Sequence, residues 1–433
     1  VTTGTAATRI TDADQALAVA AELSAAFAAE AGARDADRVL PHVQVQALKE
    51  SGLLALSVPV EHGGIAAPAA VIAEVFRLFA HGDPSLAQIP HSHYTFLEAV
   101  RLQGTDTQRA YFFERVLEGA LFANAQSERG PHPIDVDTTT LIPDGEGYVL
   151  AGRKYYCTGA LFADWVIVRA SLPERPGDTP TSSTPKALAF VPADAEGLQV
   201  VDDWHGMGQR TTASGTVTLD AVSVPAERVV AFTPIFGAPT VYGARAQLLH
   251  TALDVGIATA ALAEGVRQAG KARPHFEAGV DAAADDPTVV HLAGELTVTV
   301  RGAQALLAEA GRAVDAAAAP ALRQCRCGFG GRRGGQGGRH PGVVGGVERT
   351  VRTGRHPQRI RCGEPVAVLA RRPHPHAARP DPLEGTAHRP LHPVGHHPAA
   401  ARPALRATGS RSRVSRRRCA AGGGHGSPSA GCR

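Results

Sequence analysis

Lysine, methionine, tryptophan and, over most of the chain, cysteine are scarce. The 44 basic residues include only four Lys (Lys49, Lys154, Lys186 and Lys271), with one Met and two Trp beside them. Of the six Cys, only Cys157 precedes residue 322. A lone thiol there excludes a disulfide framework and suits a reducing compartment. No stretch reads as the ~20 apolar residues of a membrane span. The opening VTTGTAATRITDADQAL has neither a basic n-region nor an apolar core, so no secretory signal is visible. These absences predict a cytoplasmic protein with no membrane partner.

What is present is divided unevenly. The formal net charge of the 433 residues is +3. From Arg323 onward there are 22 Arg, no Lys and four acids (Glu348, Glu364, Asp381 and Glu384), a balance of +18. Residues 1–322 therefore hold 22 basic and 37 acidic residues, a balance of −15. That acidic part is long enough for two or three domains, and its charge argues against nucleic acid.

Residues 1–118 read as helical. Thr11 with Asp14 three residues on predicts an N-cap, and Leu17, Ala20, Leu23 and Phe27 follow at helical spacing. Pro41 opens a second helix, and Pro68 to Ala80 is a third. Residues 119–232 form a different block, in which 146–231 carry short β-branched and aromatic runs between turns. Helical pattern returns over 233–322. The order predicts an α+β fold with helices flanking a β-domain.

The tail, 323–433, has no helical or strand period, and its Gly and Pro are too dense for stable elements. A basic nucleic-acid arm is one reading, but Lys and aromatics are missing. A metal site is a second, but Cys325, Cys327 and Cys362 lack zinc-finger spacing. The third is an out-of-frame translation of GC-rich codons. Shifted by one base, LEGTAHRPLH can encode WKAQHIGRY, and RQCRCGFGGRRGGQGGR can encode the helical DNAAAASAAAAAAKAVA. The third reading explains the most residues and predicts a reading-frame slip near Leu322–Arg323.

The segments SGLLALSVPVEHGG, FANAQSERG, GRKYYCTGALFADWVIV, DDWHGMGQRTTASGTVTLDAVSVP and LDVGIATAALAEGVRQAGKARP occur in order. Together they resemble the acyl-CoA dehydrogenase superfamily, in its sulfur-acquisition and dibenzothiophene monooxygenase branch. The resemblance implies an acyl-CoA dehydrogenase-like fold: an N-terminal helical domain, a middle β-barrel domain that cradles a flavin, and a C-terminal four-helix bundle, here truncated. It also implies a homotetramer.

The activity it implies is that of a flavin-dependent monooxygenase. Reduced flavin (FMN, with FAD as alternative) would come from a separate NAD(P)H-flavin reductase. O2 would then oxygenate a small organosulfur substrate. The runner-up is an FAD-dependent acyl-CoA dehydrogenase. A third possibility is that the frameshifted polypeptide is an inactive product.

The resemblance also assigns roles. Thr158 would meet the flavin edge near N5, and Asn124 and Ser127 would stand on the first strand of the cradle. Asn124 would donate to the ring or to bound oxygen, and Trp204 would wall the site. Ser214 and Thr216 would hold the phosphate or ribityl region, and Arg273 would reach a neighbouring subunit's flavin phosphate. His93 and Tyr94 would line the substrate cavity, with His93 moving a proton. Bland readings stand beside these: a turn-capping Asn124, a core Trp204, a solvated Arg273, and a His93 bonded to a loop carbonyl. Cys157 reads as a small buried hydrophobe. No metal site is expected.

Overall fold

The computed structural model describes residues 7–318. The tail from 323 onward, and with it the expected frame slip, lies outside the described residues.

Seven helices come first: α1 (Ala13–Ala28), α2 (Ala31–Asp37), α3 (His42–Glu50), α4 (Ala69–Gly82), α5 (Pro84–Gln88), α6 (His91–Gln103) and α7 (Asp106–Leu117). The N-cap of α1 is Asp12, one residue later than the sequence suggests; its Oδ1 accepts from the Gln15 amide at 2.8 Å. The short α2, AGARDAD, is additional to the expected helices, because it has too few apolar residues to show a period.

Eight strands follow: β1 (Phe122–Ala125), β2 (Thr140–Asp144), β3 (Gly147–Lys154), β4 (Trp165–Ser171), β5 (Lys186–Pro192), β6 (Leu198–Val201), β7 (Thr216–Pro225) and β8 (Val229–Ala231). They pair in the order β6-β7-β3-β2-β4-β5-β8, with β1 parallel to β4. The strands form one eight-stranded sheet whose pairing path ends at β6 and β8, the expected middle β-domain. An aromatic seam joins helices to sheet: Phe112 on α7 stacks on Phe190 of β5 at 4.2 Å, and Phe122 packs against both.

Two long helices complete the described chain, α8 (Tyr242–Ala269) and α9 (Pro287–Ala318). By length and mean hydropathy (1.3 over 18 residues) α8 would suffice to cross a membrane, contrary to the reading of the sequence. Here Leu248, Leu249, Ala252 and Leu253 of α8 are buried in the helical core with α4. Pro68 precedes α4 and has no side chain to cap it. Asp315 of α9 does so instead, accepting from the amides of Ala69 (2.6 Å) and Ala70 (3.1 Å). Gly311 allows this approach, since a Cβ there would lie 2.7 Å from the Ala70 Cα.

Candidate active site

Three segments converge beside the sheet: the end of β1, the turn after β3 and the loop leading into β7. Backbone bonds join them. The Asn124 amide donates to the Thr158 carbonyl (3.3 Å), Tyr155 to Ser127 (2.8 Å), Cys157 to Gly215 (2.9 Å) and Gly159 to Thr212 (3.1 Å). Asn124, Ser127, Thr158, Trp204, Ser214 and Thr216, far apart in sequence, thereby share one cradle.

The hydroxyls form a chain with one direction. Thr212 Oγ1 donates to the Gln209 carbonyl at 3.1 Å, which can only accept. Ser214 Oγ lies 2.8 Å from Thr212 Oγ1 and must therefore donate to it. Thr158 Oγ1, 2.8 Å from Ser214 Oγ, donates in turn. Thr158 is thus left offering lone pairs to the cradle. The Asn124 amide is oriented too: Oδ1 accepts from Gln126 Nε2 (2.9 Å) and Nδ2 donates to the Tyr156 carbonyl (3.1 Å).

Trp204 donates its indole N–H to the Gln209 carbonyl at 3.0 Å and meets Tyr156 edge to face at 6.3 Å. Gly206 lies under the ring; a Cβ there would come within 2.4 Å of the indole. The loop is also tied to the helices. Arg38 pairs with Asp202, and the Arg210 guanidinium donates to the Ala36 carbonyl at 3.0 Å. Tyr156 (φ 57°), Gln209 (φ 46°) and Ala213 (φ 48°) are non-glycine residues in the left-handed region. Each costs about 1–3 kcal/mol, a kind of strain that gathers at functional sites.

A buried charge network holds the segment that follows β1. Lys154, wholly buried, donates to Glu128 (2.6 Å) and Asp137 (3.1 Å), and Arg169 donates to Asp137 (2.7 Å). Burial alone would raise the Glu128 carboxyl. The Lys154 ammonium and bonds from Thr138 and Thr139 outweigh it and hold the group at about 2.

Several expected residues have other tasks. His93 bridges two backbone groups. It is fully buried, its Nε2–H donates to the Leu54 carbonyl (2.9 Å), and its Nδ1 accepts from the Phe122 amide (3.1 Å). Burial pushes its pKa down to about 4, so the ring is neutral and both nitrogens are occupied. It bonds to a loop carbonyl, as the bland reading held, and both ring nitrogens are taken by backbone groups. Tyr94 is likewise buried, with its hydroxyl on the Leu53 carbonyl. The Thr216 hydroxyl is spent on Asp203 at 2.7 Å, so it is not free for a phosphate. Ser127 joins the cradle through its backbone. Arg273 is exposed in the α8–α9 connection and makes no hydrogen bond or ion pair with the described residues. Cys157 is buried, and burial raises its thiol to about 12.

Sequence reasoning missed Thr212, Gln209 and Gln126. The one available signal was spacing. Thr212, Ser214 and Thr216 recur at i, i+2, i+4, so an extended chain would put them on one side.

Residues 12–120 match the family model for the N-terminal domain of acyl-CoA dehydrogenases, and 122–222 match that for the middle domain. The chain is 30% identical to a dibenzothiophene monooxygenase of Rhodococcus erythropolis over 309 residues, 69% of this chain and 73% of that protein. It is 31% identical to a probable FMNH2-dependent monooxygenase of Pseudomonas putida, covering 70% and 74%. The crystal structure of FMN-bound TdsC from Paenibacillus sp. A11-2 superposes with a TM-score of 0.65 at 29% identity, over 71% of this chain and 80% of that one. The chain therefore belongs to the acyl-CoA dehydrogenase superfamily, with sulfur-oxidising flavin monooxygenases among its relatives.

Proposed function

We propose that this chain is a flavin-dependent monooxygenase that oxygenates a small organosulfur compound. In this reading reduced flavin, FMN in preference to FAD, is delivered by a separate NAD(P)H-flavin reductase, and the protein works as a cytoplasmic homotetramer. The observation that carries the reading is the convergence of Asn124, Thr158 and Ser214, backed by the directed hydroxyl chain. These residues suit a flavin. A polar ring edge needs a fixed hydroxyl and amide, and the flat ring needs a wall such as Trp204.

When bound, reduced flavin supplies the activation of O2. The protein's own part is to bind, orient and exclude water. Thr158 accepts a ring N–H. Asn124 keeps one amide N–H and one carbonyl lone pair available beyond its two internal bonds. Trp204 covers the cradle and keeps it dry. Arg273, free of partners among the described residues, is available for a neighbouring subunit's flavin phosphate.

The test is turnover of the full chain with FMN, a flavin reductase, NADH and 18O2. Dibenzothiophene, dimethyl sulfone and methanesulfinate serve as substrates. Mass spectrometry should find one 18O in an organosulfur product. Bleaching of bound FAD by an acyl-CoA, without oxygen incorporation, would instead establish the acyl-CoA dehydrogenase. Failure of the full chain to bind any flavin would support the inactive frameshifted product.

A further inference from the structure

We propose that Arg129 is the recognition group for an anionic substrate, an organic sulfinate or sulfonate, at the rim of this cradle. The inference rests on the monooxygenase reading and narrows its substrate class. Arg129 follows Ser127 by two residues, and Ser127 forms an isolated antiparallel bridge with Tyr155. Its guanidinium lies over the Tyr155 ring at 4.5 Å and the Tyr156 ring at 4.8 Å. Tyr156 gives its carbonyl to Asn124 and its ring edge to Trp204. The cation therefore sits directly outside the residues that form the cradle.

Its donors are unused. Arg129 is exposed and makes no hydrogen bond or ion pair among the described residues. Contact with two aromatic rings holds the guanidinium in place without consuming an N–H. The nearby acids are turned to other work. Glu128 points inward to Lys154, and both Asp203 oxygens accept from Thr216, the amide at 2.8 Å and the hydroxyl at 2.7 Å, so the Asp203 carboxylate, although it feels the Arg129 charge, takes none of its N–H donors. The loop needs no help from Arg129 to hold its place, because the Lys154–Glu128–Asp137 network anchors it from within. What remains is a planar fork with free donors, suited to two oxygens of one oxoanion. A neutral sulfide gains little from it.

The experiment titrates methanesulfinate and, separately, neutral dimethyl sulfone into the full chain by calorimetry, with and without FMN. Wild type, Arg129→Ala and Arg129→Lys are compared, and FMN and riboflavin affinities are measured on each. The expected result is an about ten- to hundredfold loss of sulfinate affinity in Arg129→Ala, as for a lost charged hydrogen bond. Sulfone binding should be unchanged, Arg129→Lys should recover part of the loss, and the wild-type sulfinate affinity should weaken with salt. Equal losses for both ligands, no loss, or no sulfinate binding by wild type would overturn the proposal. So would a loss of FMN but not riboflavin, since the guanidinium would then serve the cofactor's phosphate. Normal FMN binding with unchanged sulfinate affinity sinks this inference alone. Absent FMN binding sinks the monooxygenase reading, while the flavin-free titration still reports on Arg129.

Discussion

Thr158 Oγ1 and Ser214 Oγ, 56 residues apart in sequence, stand 2.8 Å from each other with the proton between them directed toward Ser214. The direction is set at the far end, where Thr212 can bond the Gln209 carbonyl only as a donor. Thr158 therefore selects a ligand N–H over a ligand acceptor. Reduced flavin carries an N–H at ring positions where oxidised flavin carries bare nitrogen. The full chain should bind reduced FMN more tightly than oxidised FMN. Thr158→Val should weaken the reduced form by about three- to tenfold, the worth of one hydrogen bond, and Thr158→Ser should restore it. Ser214→Ala frees the Thr158 hydroxyl to turn, so the redox preference should shrink. Anaerobic fluorescence titrations measure both, and equal affinity for the two redox states in wild type would refute the argument.

His93 provides the second prediction. Its two ring nitrogens join the Leu54 carbonyl to the Phe122 amide, across three parts of the fold. His93→Ala strands both backbone groups in the core and leaves a cavity, a loss of about 3–5 kcal/mol. The pH dependence has a definite sign. The folded pKa, about 4, lies below the ordinary 6.5, so the unfolded chain binds the proton more readily. The neutral ring's full contribution is present above about pH 6.5 and is lost as pH falls toward 4, by about 3 kcal/mol. His91, pushed down to about 3 by burial and by His250 stacked on it at 3.7 Å, acts in the same direction. Urea midpoints from pH 7.5 to 4.5 should therefore fall less steeply in His93→Phe than in wild type.

These two sites mark how far the sequence was legible. Asn124, Thr158 and Ser214 could be singled out because they stand in motifs whose order along the chain is distinctive. PHSHY could not be sorted the same way. On a helix His91 and His93 differ by about 200° in direction, and nothing in the letters says which face meets the loop carbonyls. Thr216 was legible as part of SGT, but its donor is taken by Asp203, thirteen residues earlier, which only the folded loop reveals. Strand β1 was hidden for another reason. FANA is four residues long and pairs parallel inside the structure, so it shows no apolar–polar alternation.

Lys154 is the third test. Its ammonium is wholly buried between Glu128 and Asp137. Lys154→Met leaves two carboxylates with Arg169 as their remaining cation, an imbalance that costs about 3–5 kcal/mol. The Glu128 carboxyl, held at about 2, contributes stability above its ordinary 4.5 that is lost as pH falls toward 2. In Lys154→Met that acid-side loss should shrink. Because this network anchors the segment carrying Ser127 and Arg129, proteolysis between residues 126 and 139 should quicken in the variant. A protection pattern identical to wild type would show that the segment is held by other means.

Asp315 makes the fourth prediction, at the start of α4. Its carboxylate takes the place of the cap that Pro68 cannot supply to α4. Asp315→Ala should cost about 0.5–2 kcal/mol. Asp315→Asn keeps an acceptor oxygen and should cost less. Chemical denaturation of the pair, with flavin binding as a control for the intact cradle, measures the difference. Equal losses in the two variants would assign the effect to charge rather than to the cap.

The last prediction concerns the reading frame. Apolar side chains stand exposed on the two long helices: Val266 on α8, and Val290, Leu292, Leu296 and Val298 on α9. Exposed apolar side chains of that kind are covered when further helices of the same bundle follow. After Leu322 the letters become Arg-, Gly- and Cys-rich, while the frame one base over still permits an Ala-rich helix. We therefore expect resequencing of codons 318–326 to find one base gained or lost. Restoring the frame should then yield a chain whose C-terminal part continues the helical pattern. Bundle formation should appear as higher helix content by circular dichroism and as a larger oligomer by light scattering. A confirmed nucleotide sequence with no slip, together with peptides containing DPLEGTAHRPLHPVGHHPAAAR recovered from the native host, would end the frameshift reading.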